Sequence, residues 1–462
     1  MTAVTHPTTA AIVLAAGKGT RFRSETAKVL HRAAGRSLVA HVLESLRPLG
    51  LGQIIVVVGH QRDDVSAELE ALAIPALTTV VQDDQRGTGH AVQVALPALA
   101  DGIDQVVVLP GDTPLLTAPT LAALLETGAD QAAMLTARLD DPTGYGRVLR
   151  GDDGRVARIV EHRDATDAER AVTEINAGMY LVDRTRLTDA LGRIDDANDQ
   201  GELYLTDVVS ILTADGHPVG ALTVAEDEVA GVNDRWQLAA AAQVLRDRHL
   251  RHLATEVGVT VVDPATTHLD VTVTVGRDAT LRPGTVLEGV TEIGPGAVVG
   301  PHSHLTDTTV GAGATVHSTV AEDAVIGDGA SVGPFTHLRA GSRLGAATKA
   351  GAFVQIKNSH LGEGAKVPHL AYVGDADVGE RANLACGVIT VNYDGQDKHR
   401  TVVGADAFVG CDVTLIAPVE VGHGAYIAAG SPITDDVPAG ALGIARSHQT
   451  TKDGWVAGRR AR

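Results

Sequence analysis

The sequence has few aromatic residues, few cysteines and no long apolar run. Aromatic residues make up 3% of the 462 residues, and the two cysteines are Cys386 and Cys411. Two cysteines provide no disulfide framework and fit a reducing compartment. No segment approaches the roughly 20 consecutive apolar residues of a membrane-spanning helix. The first residues lack the pattern of a signal peptide, so the sequence predicts a soluble, cytoplasmic protein.

Positive charge is also scarce. The 38 Lys and Arg residues stand against 57 Asp and Glu residues, giving a formal net charge of −19. This balance argues against nucleic acid or an anionic membrane surface as a partner. The basic tail at 458–462 is too short to change that expectation.

Glycine, by contrast, is abundant, with 51 residues, and hydrophobic residues make up 44% of the chain. That hydrophobic content is typical of a globular protein. The chain is longer than a single hydrophobic core usually supports, so two or three domains are expected.

Short aliphatic runs alternate with amphipathic segments from residue 10 to about 231. The pattern predicts an α/β domain with a largely parallel sheet covered on both faces. Ligands of such sheets bind beyond the carboxyl ends of the strands. The candidate strands are 11–15, 53–58, 77–81, 105–109 and 132–137, and the candidate helices are 37–49, 65–72, 90–99 and 118–125.

A glycine-rich basic loop at 14–31 follows the first candidate strand. It carries four cations, Lys18, Arg21, Arg23 and Lys28, and contains no acidic residue before Glu25. Glycine lets backbone N–H groups approach an anion, so the loop predicts a phosphate site.

Two common phosphate motifs do not fit this loop. A P-loop requires glycine where Ile12 stands. A dinucleotide fingerprint beginning at Gly17 requires Gly or Ala where Phe22 stands. The loop therefore belongs to another class of phosphate site.

The second half of the chain has a different period. A long helix is predicted from Trp236 to about Glu256, capped by Asn233 or Asp234. After about Val259 an aliphatic residue recurs every sixth position, often followed by glycine, which is typical of a hexapeptide β-helix. The period is interrupted at 392–398, which predicts an excursion loop of functional interest. The repeats include Ile293, Val299, Val332, Leu338, Leu344, Ala350, Ile356, Leu361, Val367, Val373, Val403, Val409, Leu415, Val421, Ile427 and Ile433.

Eight short motifs follow one another along the chain and are distributed over both halves. They are LAAGKGTR at 14–21, KVLH at 28–31, GTGH at 87–90, DPTGYGR at 141–147, IVEH at 159–162, GVN at 231–233, HLAY at 369–372 and NYDG at 392–395. Together they make the chain, from about residue 10 to 452, resemble the bacterial bifunctional N-acetylglucosamine-1-phosphate uridyltransferase/glucosamine-1-phosphate acetyltransferase family.

The resemblance implies three segments. They are a Rossmann-like nucleotidyltransferase domain at 1–232, a linker helix at 233–258 and a left-handed parallel β-helix acetyltransferase domain with its tail at 259–462. It also implies a homotrimer formed through the β-helix. The implied product, UDP-N-acetylglucosamine, serves as a precursor of peptidoglycan and lipopolysaccharide-type polymers.

In the first half, the resemblance implies that N-acetylglucosamine 1-phosphate attacks the α-phosphate of UTP. Arg21 and Lys28 would hold the triphosphate, and Asp112 and Asn233 would ligate Mg²⁺, which favours one or two protein oxygens. A structural turn in Pro-Gly-Asp is the alternative for Asp112, and a solvated surface acid is the alternative for Glu161. The residues implied to bind UTP or its sugar product are Leu14, Ala15, Ala16, Gly17, Lys28, Gln82, Gly87, Thr88, Gly146, Glu161, Asn176 and Asn233.

In the second half, the resemblance implies acetyl transfer from acetyl-CoA to the amine of glucosamine 1-phosphate. The amine must lose a proton, and His369 matches the family's base. The residues implied to bind glucosamine 1-phosphate are Arg339, Lys357, Tyr372 and Asn383. Those implied to bind acetyl-CoA are Cys386, Asn392, Tyr393, Lys398, Cys411, Ala429 and Arg446.

The chain departs from the family pattern at several positions. Ala27 stands where proline is common before the lysine, which is expected to loosen the loop, and Pro110 stands where some members have tyrosine. Gln355 replaces a frequent glutamate, while Cys386 and Cys411 replace small residues near the coenzyme. These changes bear on rate more than on reaction type.

Two other functions remain open at this point. One is a monofunctional sugar-nucleotide pyrophosphorylase, such as an ADP-glucose enzyme, with a structural β-helix. The other is a non-enzymatic scaffold of the same two folds, like certain translation-factor subunits. In a non-enzymatic scaffold, the charged and polar residues of the first site are expected to be replaced. In this chain Arg21, Lys28, Asp112 and Asn233 are all present.

Overall fold

The computed structural model describes residues 5–128 and 132–460. The last residues of the predicted basic tail, 461 and 462, lie outside these ranges. The chain divides into two compact units, Met1–Leu245 and Arg246–Arg462. The division falls inside the helix predicted as a linker. Among the helices described, none is both long enough and apolar enough to cross a membrane.

The first unit contains a nine-stranded sheet and its helices. The sheet order is β11-β7-β10-β6-β1-β4-β5, with β8 and β9 attached beside β10, and β2 and β3 form a separate two-stranded sheet. The strands are β1 His6–Leu14, β2 Arg32–Ala33, β3 Arg36–Ser37, β4 Leu51–Val58, β5 Leu77–Val81, β6 Gln105–Pro110, β7 Ala132–Arg138, β8 Arg147–Arg150, β9 Val156–Val160, β10 Glu174–Asp183 and β11 Val219–Thr223. The helices are α1 Leu38–Leu46, α2 Arg62–Ala71, α3 Thr88–Ala95, α4 Ala118–Thr127, α5 Asp167–Arg170, α6 Arg184–Leu191 and α7 Asp207–Ala214.

The parallel part of this sheet is the part predicted from the aliphatic runs. β1 pairs in parallel with both β4 and β6, β4 with β5, and β7 with β11. β10 runs antiparallel to β6, β7 and β8. Buried aliphatic side chains form one core cluster on each face of the sheet, as expected for a sheet covered on both sides.

The predicted helix after Asn233 is present and is capped by the second of the two candidates. α8 spans Arg235–His252 and continues as a π-helical turn, Leu253–Val257. Asp234 accepts hydrogen bonds from the backbone N–H groups of Trp236, at 2.9 Å, and Gln237, at 2.8 Å. The cap therefore leaves the Asn233 side chain available for other contacts.

The second unit is a parallel β-helix of three sheets of short strands. Successive coils contribute strands to the three sheets in turn, which contain 11, 10 and 9 strands, and all strand pairs within them are parallel.

The first sheet contains β12 Thr260–Val261, β15 Thr280–Leu281, β18 Val298–Val299, β21 Thr315–Val316, β24 Ser331–Val332, β27 Lys349–Ala352, β30 Lys366–His369, β33 Asn383–Leu384, β36 Phe408–Val409, β39 Tyr426–Ile427 and β41 Leu442–Gly443. The second contains β13 His268–Leu269, β16 Val286–Glu288, β19 His304–Thr306, β22 Thr319–Glu322, β25 Thr336–Leu338, β28 Gln355–Lys357, β31 Tyr372–Gly374, β34 Ile389–Val391, β37 Thr414–Ile416 and β40 Pro432–Ile433. The third contains β14 Thr274–Val275, β17 Glu292–Ile293, β20 Thr309–Val310, β23 Val325–Ile326, β26 Arg343–Leu344, β29 His360–Leu361, β32 Ala376–Val378, β35 Thr401–Val403 and β38 Val419–Val421. The helix α9, Trp455–Arg460, lies near the C-terminus.

The hexapeptide residues form the core of the β-helix. Every aliphatic residue named above for the six-residue repeat is buried in one continuous cluster. The glycine excess follows from the close stacking of the coils. A Cβ on Gly327 would lie 2.6 Å from the carbonyl carbon of Gly345, and a Cβ on Gly345 would lie 2.9 Å from the carbonyl oxygen of Leu361. Such distances exclude larger residues at this corner.

Ala27 retains the backbone conformation that proline would impose. It is buried, with φ −54° and ψ 137°, and precedes a short 3₁₀ turn at Lys28–Leu30. Since proline requires φ near −65°, this position is compatible with it.

We expect Ala27→Pro to raise the free energy of unfolding by about 0.4–1 kcal/mol, because proline restricts the unfolded chain. Ala34 is the matched control, since its φ of 46° is closed to proline. Ala34→Pro should lower the free energy of unfolding, and urea titration measures both effects. A loss of stability in Ala27→Pro would show that the loop does not hold this conformation in solution.

Candidate active sites

A cavity of about 540 Å³ opens at the carboxyl ends of the parallel strands in the first unit. It is lined by the glycine-rich loop, the end of β6, and residues of β10 and the segment before α7. The predicted nucleotide-site residues that line it are Leu14, Ala15, Ala16, Gly17, Arg21, Lys28, Gln82, Gly87, Thr88, Asp112, Glu161, Asn176 and Asn233.

Gly146 does not line the cavity but lies directly behind two residues that do. Its carbonyl oxygen accepts a hydrogen bond from the Asn176 backbone N–H at 2.9 Å. A Cβ on Gly146 would lie 3.3 Å from Glu161 Oε1. This glycine therefore lets the strand approach the Glu161 carboxyl group.

The centre of the cavity is a cluster of two cations and two oxygen-bearing side chains. Lys28 Nζ forms an ion pair with Asp112 Oδ2 and donates to Asn233 Oδ1 at 3.0 Å. Arg21 donates to the same Asn233 oxygen at 2.7 Å. The Lys28 and Asp112 side chains are 14% and 22% exposed, so the pair is only partly screened by water. Residues more than 200 positions apart in sequence thus meet at one point.

The two loop glycines have different roles in the structure. Gly19 has φ +57°, and a Cβ there would lie 2.5 Å from Lys28 Cβ. A Cβ on Gly17 would meet no atom within 4 Å. Gly19 is required for the turn that brings Lys28 across the loop, whereas Gly17 borders open space in the cavity.

Gln82 is held at another wall of the cavity. Its side chain is buried, and its amide nitrogen donates to the Gly87 carbonyl oxygen at 3.2 Å and lies 3.2 Å from His90 Nδ1. Gly87 has φ +110°, and a Cβ there would lie 2.6 Å from the Leu203 carbonyl oxygen. A fixed amide beside exposed backbone can pair with a heterocyclic base edge.

Glu161 and Asn176 form the remaining polar wall. Asn176 donates to the Tyr180 hydroxyl at 2.7 Å and accepts from the Gly178 backbone N–H at 3.0 Å, which orients its amide. The Thr206 hydroxyl donates to Glu161 Oε1 at 3.3 Å. Burial raises the pKa of Glu161, and the charges of Asp164 and Asp207 add to this effect.

Several cavity residues were not predicted from the sequence, namely Gln85, Tyr180, Glu202, Leu205 and Thr206 among others. Tyr180 and Thr206 hold the predicted residues in place, and only the tertiary structure connects them. No sequence motif indicates that Thr206 contacts Glu161, because the two residues are 45 positions apart.

In the second unit, three predicted sugar-phosphate residues meet on the outer side of the second sheet. Arg339 follows β25, and Lys357 ends the next strand of that sheet, β28. Lys357 pairs with Gly374, and a Cβ on Gly374 would lie 2.3 Å from the Tyr372 hydroxyl, so Tyr372 covers the same position. Asn383 instead lies on β33 of the first sheet, on a different side of the β-helix.

The excursion loop adds a cation to this group. Contact with Lys398 lowers the pKa of Lys357, burial and the Arg339 charge lower it further, and Asp375 opposes them. Burial would raise the pKa of Asp375, but hydrogen bonds from Asn358 and Asn392 and the two lysine charges outweigh it and lower that pKa. Lys357 and Lys398 repel each other, which an anion between them would relieve.

The remaining predicted residues lie in three places: the corner between the first and second sheets, the excursion loop between β34 and β35, and the segment after β41. His369 ends β30 and is exposed, with Cys386, Cys411 and Ala429 at the equivalent corner positions of the next coils. The Tyr393 hydroxyl donates to the Gly395 carbonyl oxygen at 2.7 Å within the excursion loop. Arg446 is exposed in the segment after β41. This single chain does not bring Asn383 or Arg446 to the Arg339–Lys357 group.

Gln355, the departure from the family's glutamate, lies beside this group. It pairs in register with His337 on one side and Tyr372 on the other. Its neutral amide adds no negative charge near Lys357.

The first unit thus has a parallel-sheet fold with a cavity that brings cations and carboxylates together, and the second is a β-helix of the hexapeptide class. Comparison with known proteins agrees with this assignment. The family model described as a MobA-like NTP transferase domain matches residues 11–255.

Full-length relatives identify the family. A Bifunctional protein GlmU of Streptomyces avermitilis is 54% identical over 98% of this chain and 94% of its own length. A second, from Exiguobacterium sp., is 50% identical over 96% of this chain and 99% of its own length. A third, from Geobacillus thermodenitrificans, is 46% identical over 96% of this chain and 97% of its own length. The chain belongs to the GlmU family of bifunctional proteins.

A solved Bacillus anthracis structure, described as a glucose-1-phosphate thymidylyltransferase in complex with a sucrose, matches 51% of the chain and 94% of its own length. Its sequence identity is 20% and its TM-score is 0.42.

The buried carboxyl group predicts a pH-dependent stability. Because burial raises the folded pKa of Glu161 above its usual 4.5, the native state holds this proton more strongly than the unfolded state. Its contribution to stability therefore falls as the pH rises above 4.5. We expect Glu161→Gln to be more stable than the parent chain at pH 7 and indistinguishable near pH 4, by urea unfolding.

Glu169 is a control, because its pKa is shifted in the opposite direction. Hydrogen bonds from Thr166 lower its pKa, so Glu169→Gln should be less stable than the parent chain at pH 7, with the difference lost in acid. A Glu161→Gln variant that is less stable at both pH values would contradict the burial argument.

Proposed function

We propose that this chain, as a nucleotidyltransferase and acetyltransferase of its family, catalyses two consecutive steps. In the second unit, the acetyl group of acetyl-CoA is transferred to the amine of glucosamine 1-phosphate. In the first unit, the resulting N-acetylglucosamine 1-phosphate attacks the α-phosphate of UTP and releases pyrophosphate. The observation that carries this proposal is the convergence of Arg21, Lys28, Asp112 and Asn233 in the first cavity, in a chain with full-length bifunctional relatives. The product, UDP-N-acetylglucosamine, would supply cell-wall polymer synthesis.

In the first site, charge neutralisation and positioning supply the catalysis. The attacking phosphate is already an anion, so it needs no general base. Arg21 and Lys28 would bind triphosphate oxygens, with the backbone of Leu14–Gly17 beneath them. Lys28 must then leave Asp112, because the triphosphate offers it a larger negative charge.

The donor set fits a magnesium ion. Asp112 Oδ2 and Asn233 Oδ1 both contact the single cationic nitrogen of Lys28, so one cation can bridge the two oxygens. Mg²⁺ binds through one or two protein oxygens with phosphate and water completing its shell. When bound, Mg²⁺ would offset negative charge on the phosphates. No group of three or more His, Cys, Asp or Glu side chains suited to a metal occurs within the described ranges, so a cage made of protein ligands alone is not proposed.

The other walls would select the two substrates. Gln82, Gly87 and Thr88 would read the uracil edge. Asn176 and Glu161, with Gly146 behind them, would bind the hydroxyl and N-acetyl groups of the sugar. The orientation of the Asn176 amide by Tyr180 and Gly178 supports this assignment.

In the second site, His369 would take the proton from the substrate ammonium as its nitrogen attacks the acetyl carbonyl carbon. Arg339, Lys357 and Tyr372 would bind the sugar phosphate, and the repulsion between Lys357 and Lys398 provides a place for an anion. Cys386, Cys411 and Ala429 would lie along acetyl-CoA, with Asn392 and Tyr393 near the acetyl group and Arg446 near its anionic end.

We further propose that the acetyl site is completed by a second copy of the chain in a homotrimer. Asn383 lies on the first sheet and Arg339 follows a strand of the second, so one chain presents them on different sides. Phe335, Phe353 and Leu370 are exposed at the corner between those sheets, and the two phenyl rings stack at 5.2 Å. An exposed apolar ridge of this kind is typical of a subunit contact. The two unpaired thiols fit a cytoplasmic location.

Separate variants test the two activities. Lys28→Ala should abolish pyrophosphate release from UTP and N-acetylglucosamine 1-phosphate while sparing release of free CoA from acetyl-CoA and glucosamine 1-phosphate. His369→Ala should do the reverse, with a loss of about 10²–10⁴-fold expected for a general base. Omitting Mg²⁺ should stop only the first reaction.

Three results would count against this assignment. Loss of both activities in Lys28→Ala would contradict two separate sites, and an unchanged acetylation rate in His369→Ala would remove it as the base. A preference for ATP over UTP, without CoA release, would favour the monofunctional pyrophosphorylase with a structural β-helix.

Mixed oligomers test the shared site. Arg339→Ala and Asn383→Ala chains should each lose acetyl transfer, and co-refolding them should restore part of it, since some interfaces then pair two intact residues. Light scattering should report three chains per particle. Failure of the mixture to regain activity, with mixed particles verified by tagged chains, would show that both residues act from one chain.

A further inference from the structure

The two cysteines of the sequence lie one above the other in the β-helix. They belong to the corner column, which we define as His369, Cys386, Cys411 and Ala429, the residues just before the left-handed position between the first and second sheets. Cys386 and Cys411 are 25 residues apart, because the excursion loop 392–398 lies between their coils. The sequence spacing therefore does not show that they are neighbours.

The strand register establishes this stacking. Lys366 pairs with Asn383, and Asn383 pairs with Phe408, so the three coils are aligned three residues before the column. The alignment continues through the corner, because the Asp412 backbone N–H donates to the Cys386 carbonyl oxygen at 2.8 Å. Gly387 and Asp412, the next residues, both have left-handed backbones, with φ of 78° and 55°. The two cysteines thus repeat the same position and direct their side chains alike.

This arrangement gives the two residues a backbone separation that a disulfide can span. Adjacent paired strands lie about 4.7–4.9 Å apart. Disulfides span Cα–Cα distances of about 4.4–6.8 Å. Cys386 is half-buried and Cys411 is exposed, so a small oxidant can reach the pair. His369, one coil before Cys386 in the same column, can accept a thiol proton.

We propose that Cys386 and Cys411 form a reversible disulfide with a peroxide as oxidant, and that this disulfide stops acetyl transfer. One thiolate attacks a peroxide oxygen and breaks the O–O bond, giving a sulfenic acid and water. The second thiol then attacks the sulfenic sulfur, and its proton leaves with the hydroxyl group as a second water. In total, two thiols and one hydrogen peroxide give one disulfide and two waters.

The effect on acetyl transfer rests on the proposed function of the second unit. The disulfide would lie in the column next to His369, where the acetyl donor is proposed to bind. It would draw the two coils together and remove the rotational freedom of both side chains. Displacing reacting groups by about 1 Å can cost about 10²-fold in rate. The first unit contains neither cysteine, so uridylyl transfer serves as an internal control.

The test uses the full-length protein, reduced with dithiothreitol, desalted and treated with an equimolar amount of hydrogen peroxide. We expect free thiols to fall from two per chain to none and the intact mass to fall by two hydrogens. A peptide linking Cys386 to Cys411 should appear in a non-reducing digest. Release of CoA should fall by roughly tenfold or more, pyrophosphate release should be unchanged, and dithiothreitol should restore the first activity.

Cys386→Ala and Cys411→Ala are the matched variants, each compared with its own reduced form. Neither can lose two hydrogens within one chain, so the ratio of oxidised to reduced activity should lie closer to one than in the parent chain. A gain of oxygen in place of the loss of two hydrogens, or a disulfide between chains, would overturn the proposal. A disulfide formed with full acetyl transfer would overturn its inhibitory role.

The thiol count and the mass are independent of catalysis. If the reduced protein released no CoA, the proposed acetyltransferase function would fail, while these two readouts would still decide whether the pair closes.

Discussion

Parallel strand register is the constraint on which both units depend. In the first unit, β1, β4 and β6 run in the same direction, so the segments that follow them meet at one edge of the sheet. That edge brings the glycine-rich loop next to Asp112. In the second unit, the same register repeats from coil to coil, and equivalent positions form straight columns. Side chains distant in sequence become neighbours in both units because backbone hydrogen bonds between the strands set their register.

The two sites share an electrostatic feature. In the first, Lys28 lies on the oxygens of Asp112 and Asn233, where a divalent cation is proposed to bind. In the second, Lys357 contacts Lys398, and the repulsion between them lowers the pKa of Lys357. Both arrangements place cations where phosphate groups are expected, and both would change their contacts when an anion arrives. Binding of the triphosphate in the first site and of the sugar phosphate in the second would therefore be coupled to local rearrangement of lysine side chains.

The sequence predicted the architecture well where a period was present. The predicted strand 77–81 coincides with β5. The predicted strand 11–15 corresponds to β1, His6–Leu14, which begins earlier and is longer. The antiparallel strand β10 was not predicted, because its residues around Asn176 and Gly178 interrupt a simple aliphatic run. The motifs located most of the first cavity, while Tyr180 and Thr206 were missed because they act through contacts that only folding creates.

By itself, the sequence determined the class of each unit, since a six-residue aliphatic period permits little other than a stacked β-helix and a strand–helix alternation predicts a parallel sheet. It also determined which charged residues the first site has available. The tertiary structure alone decided that Asp234, not Asn233, caps α8, which leaves Asn233 free to bind Arg21 and Lys28. It alone placed Cys386 beside Cys411. The physical reason is that strand register depends on hydrogen bonds between distant segments, and an excursion loop changes the sequence spacing without changing the stacking.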